Sequence, residues 1–470
     1  MKKRPTASLV CGCTLIVALI MPAFAGEKTQ TPKIFDPYYK ILNLNTFHWD
    51  PLCLQDCTST ASDVNIWGRV VGQSTVWGGP PAYQSQTLGF RTAPNAGIGP
   101  TSGLALSPGA DRSEGFGINE FGAAVGESGG AALWPLKPPF QVTHLGYTSS
   151  YGTAINDLGV AVGDRFVSQT STAWIGSPAS VLSADYQSSA NAINNQGMVV
   201  GNRDVDPDPA GSRFRAFRWA GGSSLQDLGT LNPDCTTCEN SARGINDHGA
   251  IVGSSEFTAQ FPYHHRATIW PITLVGPPAA VDLGTLCSGT FAILCESHAT
   301  DINIHNHIVG MSSTGPVSLP GGGDQHAFLY KGTGMTDLNT LLAPADHANW
   351  VLWSAEAIND LGQIAGTGYF QGDKIRAYLL TPPLQVIFAT VKSLHLLFSA
   401  DLASERRSLD IRMNAAKAAL ERSDLEEAHL QLDAYEDEVQ ALVLIRRLNM
   451  IRATKLMAGA ALIRRQMEDR

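Results

Sequence analysis

Four stretches of the sequence carry side chains of a type and spacing that chemistry could use. Gly126-Glu127-Ser128-Gly129-Gly130 matches G-x-S-x-G, where a serine on a sharp strand-to-helix turn becomes a nucleophile. The same Val-Gly-x-Ser ending recurs at Val71-Gly72-Gln73-Ser74 and Val252-Gly253-Ser254-Ser255, which marks it as repeat structure rather than an elbow. Asp204, Asp206 and Asp208 alternate as calcium ligands would. Pro209 and Arg215, however, hold the places where an EF-hand loop needs Gly and Glu. No cofactor is therefore expected, with calcium the alternative on a loop that reads more simply as solvated. Tyr263-His264-His265-Arg266 gathers groups suited to metal binding or proton transfer. His326 stands at a similar place in another repeat, which favours packing or hydrogen bonding. No catalytic or cofactor-binding set emerges.

Cysteines give the fourth group. Cys53/Cys57, Cys235/Cys238 and Cys287/Cys295 lie close in sequence. Proximity favours three local disulfides if the chain is exported. Zinc at Cys235 and Cys238 is the competing assignment, and it needs a second pair such as Cys53/Cys57. Export is expected from the N-terminus. Lys2, Lys3 and Arg4 precede an apolar stretch from Leu15 to Met21, and Ala23-Phe24-Ala25 is a small-x-small cleavage site. Residues 1–25 read as a signal peptide, and no later stretch is apolar for long enough to span a bilayer. The formal net charge of -9 argues against a nucleic-acid partner.

The elements that must position these groups are repeats. Gly (46) and Pro (26) are abundant and charged residues are only 16% of the chain, a profile of short strands and many turns. The phrase Ile-Asn-x-x-Gly-x-x-Val-Gly recurs seven times with small departures, its asparagines at Asn65, Asn119, Asn156, Asn194, Asn246, Asn303 and Asn359. Its polar centre between apolar runs predicts a hairpin, with the second glycine letting a backbone or aromatic ring approach closely. Ala-Phe-x-Trp (Ala216 to Trp219) and Asp-Leu-Gly-Thr-Leu (Asp227 to Leu231, Asp282 to Leu286) supply third and fourth strands. Four strands per unit of about 50 residues predict a mainly β, seven-bladed β-propeller over 39–383. The last unit lacks its fourth strand. Ile41 to Asn45 resembles the missing phrase, so it should pair beside Ala377 to Leu380 and close the ring.

From 384 to 470 the pattern changes. Charge density rises, Gly459 is the sole glycine, and Leu409, Met413, Ala416 and Leu420, then Leu430, Leu432, Val439 and Leu442, recur at helical spacing. Ser423-Asp424-Leu425-Glu426 reads as a capping box. A small α-helical bundle of three or four helices follows the propeller.

The three phrases in fixed order resemble the HAF-repeat family of bacterial extracellular proteins, with His326-Ala327-Phe328 as the literal signature. Ala415 to Asp424 is similar to a helical module found at the ends of bacterial exported proteins. The resemblance implies export and a propeller, with no established activity. The expected role is a non-catalytic binding or scaffolding module at the cell envelope or outside the cell. Its partner would be an envelope or extracellular protein or glycan. One alternative is a glycan hydrolase or lyase with its carboxylates in the central channel. Another is oligomerisation through the helical module.

Overall fold

Each copy of the phrase is a hairpin turn. Its opening Ile or Val ends the first strand of a sheet, and its closing Val-Gly (Ala365-Gly366 in the seventh copy) lies on the second. The glycine between them takes a left-handed backbone, with φ of 80° at Gly159 and 85° at Gly249. In the sixth unit Asn306 fills that place at φ 57°, asparagine being among the few side chains that tolerate it. The closing glycine answers a different need. A Cβ on Gly163 would collide with the Tyr151 carbonyl and the Trp174 ring.

The computed structural model describes residues 35–47, 57–77, 85–137, 141–146, 148–167, 170–176, 179–182, 187–206, 213–222, 224–257, 264–272, 279–287, 294–315 and 324–469. The expected signal segment, Cys53 and Asp208 lie outside these residues.

Seven antiparallel sheets form the blades of a β-propeller. Their first strands are Ser59–Val64, Glu114–Ile118, Ser150–Ile155, Ser188–Ile193, Asn240–Ile245, Ser297–Ile302 and Trp350–Ile358. Each first strand touches the next, and the seventh blade touches the first. Every first strand also skips one residue against its partner, three positions before the asparagine: Thr153 in blade 3, Thr300 in blade 6. This bulge bends the strand where it nears the axis. Thr153 Oγ1 uses the bend to reach Ala190 O of the next blade at 2.6 Å.

The seventh blade closes as the sequence predicts. Strand Lys40–Asn43 pairs antiparallel with Lys374–Thr381, Ile41 opposite Leu380 and Leu42 opposite Leu379. Blade cores lie between neighbouring sheets. Trp174 of blade 3 packs with Val125 and Leu145 of blade 2, and Trp270 of blade 5 packs with Val200 and Leu228 of blade 4.

The fourth strands are shorter than the sequence suggests. Only Gln226–Asp227 and Val281–Asp282 are strand in blades 4 and 5. The Asp-Leu-Gly-Thr-Leu phrase is mostly a turn: Asp227 Oδ1 accepts from Gly229 N–H at 2.7 Å, and Asp282 repeats this with Gly284. Blade 1 has three strands, with an isolated bridge between Phe90 and Gly103 beside them.

Four helices follow: α1 (Leu384–His395), α2 (Ala403–Glu421), α3 (Leu425–Leu444) and α4 (Met450–Glu468). Seven of the eight apolar positions picked out by spacing are buried. Leu430 is 58% exposed and faces outward. The cap of α3 falls one residue later than the Ser-x-x-Glu pattern implies. Asp424, not Ser423, accepts the first-turn N–H, from Glu427 at 3.1 Å. Buried His395 bridges Asp410 (2.7 Å) and Tyr435 (2.8 Å), tying three helices together. The bundle shares its core with Ile66, Ile304 and Leu361, all in phrase turns. It therefore sits on the propeller face where those turns emerge. Among the described residues no helix is long and apolar enough to cross a membrane.

Candidate functional site

The phrase asparagines build the axis of the molecule. Asn156 Oδ1 accepts from Leu158 N–H (3.1 Å) and Val160 N–H (2.9 Å), which fixes the hairpin. Its Nδ2 donates to the Asn194 carbonyl of the next blade at 3.0 Å. The same donation runs from Asn65 to Asn119, Asn119 to Asn156, Asn194 to Asn246, Asn246 to Asn303, Asn303 to Asn359, and Asn359 back to Asn65. The result is a closed circle of buried hydrogen bonds.

The next residue of each phrase forms a second, interrupted circle. Its members are Ile66, Glu120, Asp157, Asn195, Asp247, Ile304 and Asp360. Each polar member accepts the N–H of the corresponding residue in the preceding blade: Asp157 from Glu120 at 2.9 Å, Asn195 from Asp157 at 2.8 Å, Asp247 from Asn195 and Asp360 from Ile304 at 2.9 Å, and Glu120 from Ile66. One oxygen of each carboxylate is thereby spent on the ring. The Asn195 amide bridges the other oxygens of Asp157 (2.8 Å) and Asp247 (2.9 Å).

Lys455 of α4 reaches this circle. Its Nζ lies 2.6 Å from Asp360 Oδ2 and 3.7 Å from Asp247 Oδ2. The cavity here measures about 160 Å³ and is lined by the asparagine circle, by the second circle apart from Ile66, and by Asp63, Asp301 and Lys455. Burial would raise the Asp360 carboxyl, yet the Lys455 charge and hydrogen bond hold it below its ordinary value. Burial would lower Lys455, yet Asp360, Glu120 and Asp247 hold it above its ordinary value. Glu120 is pushed up to about 8 by burial, against the pull of Lys455 and with help from Asp157 and Asp360.

Two further carboxyls stand just inside. Burial, reinforced by Asp301, raises Asp63 to about 7, and burial raises Asp301 to about 6. Values near neutrality suit acid–base work. Here, however, each oxygen already accepts a backbone N–H: Asp63 from Val64 (2.7 Å) and Ile118 (2.8 Å), Asp301 from Ile302 and Ile358 (both 2.8 Å). These contacts stitch one blade to the next. The arrangement can hold a buried ammonium and fix blade spacing.

Ser128 lies in a strand-to-strand hairpin, not at a helix. Its Oγ accepts from Ser107 N–H (2.9 Å) and donates to Arg112 O (3.2 Å). Asp204 Oδ1 accepts from Asp206 N–H and Arg213 N–H, both at 2.9 Å, and organises its own loop. Among the described residues no group of three or more His, Cys, Asp or Glu is arranged to hold a metal ion. Cys235–Cys238 and Cys287–Cys295 are disulfides. The pairing of Cys57 with Cys53 lies outside the described residues.

His264 and His265 are not the counterparts of His326. The residue before the third-strand alanine is Arg215, Arg266 or His326, and it pairs with the aspartate of the fourth phrase. The distances are 3.1 Å to Asp227, 3.9 Å to Asp282 and 2.6 Å to Asp337. His305 is covered by the bundle: its Nε2 is 3.1 Å from Asp360 O and its Nδ1 3.4 Å from Ser393 Oγ.

Sequence reasoning missed Asp63 and Asp301, although a signal existed. They stand two residues before the asparagine, where other units have Gly117, Ala154, Ala192, Gly244 and Ala357. It also missed Lys455, which carries no signal at all. Comparison of the sequence with protein-family models and with curated proteins finds no match to either.

Proposed function

We propose that the chain is an exported HAF-repeat propeller, a non-catalytic module that binds an envelope or extracellular protein or glycan on one face. The observation that carries this is the placement of the bundle. It covers the face of the phrase turns, while antiparallel topology sends the second-to-third-strand hairpins and the blade-to-blade connections to the other face. That free face bears the Cys235–Cys238 and Cys287–Cys295 disulfides and the exposed side chains Phe166 and Tyr369. Propellers bind where such loops converge.

The test is glycan-array and pull-down screening of the mature protein, with and without Phe166→Ala and Tyr369→Ala. Selective capture that these substitutions weaken, with no turnover of the captured glycan, is the expected result. The rival is a glycan hydrolase or lyase, favoured by the raised Asp63 and Asp301 carboxyls at the axis. Turnover abolished by Asp63→Asn or Asp301→Asn would establish it instead.

A further inference from the structure

The second circle is incomplete without the bundle. Glu120, Asp157, Asp247 and Asp360 converge on one cavity, and the propeller supplies no cation among its lining residues. Asp360 Oδ2 has Lys455 as its close partner at 2.6 Å. Where the circle is interrupted, at Ile66 and Ile304, the gaps are apolar, and both side chains pack into the bundle core beside Leu361. The collar thus matches the helical module twice over: an acidic centre for one ammonium, and apolar shoulders for the helices around it.

We propose that the C-terminal bundle is an electrostatically keyed plug of the propeller axis, with Lys455 and the Asp360–Asp247 pair as a latch whose release uncovers the axial mouth. The groups facing the latch are Glu120 and Asp157 on the circle and His305 beside Asp360, with His248 on the neighbouring turn acting on His305. Lys455 is here a positioning residue, and nothing in the proposal depends on what the free face binds. Stranding one buried charge by removing its partner is strongly destabilising, whereas removing both charges is often tolerated. That asymmetry separates a latch from mere packing of the lysine stem.

The experiment is hydrogen exchange on the full chain, comparing wild type with Lys455→Met, Lys455→Met/Asp360→Asn and Lys455→Arg. Lys455→Met should speed exchange in α4 and in the turns at 65–69 and 303–307 by at least about a hundredfold, with the blade strands unchanged. Adding Asp360→Asn should recover most of that loss, and Lys455→Arg should stay near wild type. If Lys455→Met does not fold, Asp360→Asn and Asp247→Asn read the same latch with the lysine in place. Exchange should then rise more for Asp360, at 2.6 Å, than for Asp247, at 3.7 Å. Wild-type exchange in Lys455→Met, no recovery in the double variant, or equal effects of the two asparagine substitutions would overturn the proposal.

Discussion

The asparagine of the phrase shows why one residue type is needed at one place. Its oxygen must accept two N–H groups of its own turn while its amide donates to a carbonyl of the next blade. Aspartate could make the first pair of bonds and would face the carbonyl with an oxygen. Serine is too short to do both. Asn156→Ala removes three buried hydrogen bonds, each worth about 1 kcal/mol net. Denaturant unfolding should therefore give a stability lower by about 3 kcal/mol with an unchanged slope; a loss below about 1 kcal/mol would mean the circle is ornamental. The local half of this role is legible in the sequence, because Asn with a following Gly is a turn signal. The other half is not, because the carbonyl it reaches lies 38 residues away and only the closed ring brings them together.

At the scale of elements, the edge strand does most to make seven sheets one ring. Lys40–Asn43 fills the outer position of blade 7. Leu44 beyond it is fully buried, donating to Ala377 O at 3.0 Å and accepting from Ile98 N–H of the first blade's connection at 2.8 Å. Tyr39 and Leu44 would each lose about 1.5–3 kcal/mol of burial on removal, and Lys374–Thr381 would become an open edge. A chain lacking residues 39–45 should melt at a distinctly lower temperature and self-associate. Thermal unfolding with size-exclusion chromatography checks both. An unchanged melting temperature and a wild-type elution volume would show that closure lies elsewhere. This pairing was readable because the last repeat lacked a phrase that the first strand resembles. The shortness of the other outer strands was not, since Asp-Leu-Gly alternates like a strand while the glycines at φ 75° and 84° turn it away.

For the whole molecule, the consequence is a hierarchy of two bodies joined at one collar. Among the contacts that hold the bundle to the ring are the Lys455–Asp360 pair, Ser393 beside His305, and the apolar contacts of Ile66, Ile304 and Leu361. The helical pattern of residues 384–470 announces a bundle but not where it docks. Lys455 looks like any other charge on a helix until the fold places it over four carboxyls. Leu361 is fully buried in the core it shares with the helices, so Leu361→Asp should disturb the collar selectively. It places a carboxylate in an apolar contact, beside an Asp360 that already carries charge. Calorimetry of the wild type should show one cooperative transition, because collar contacts couple the two bodies. In the variant the endotherm should split, the bundle melting first and the propeller close to its original temperature. A single transition shifted as a whole would mean instead that the bundle folds as an integral part of the propeller and cannot lift from it.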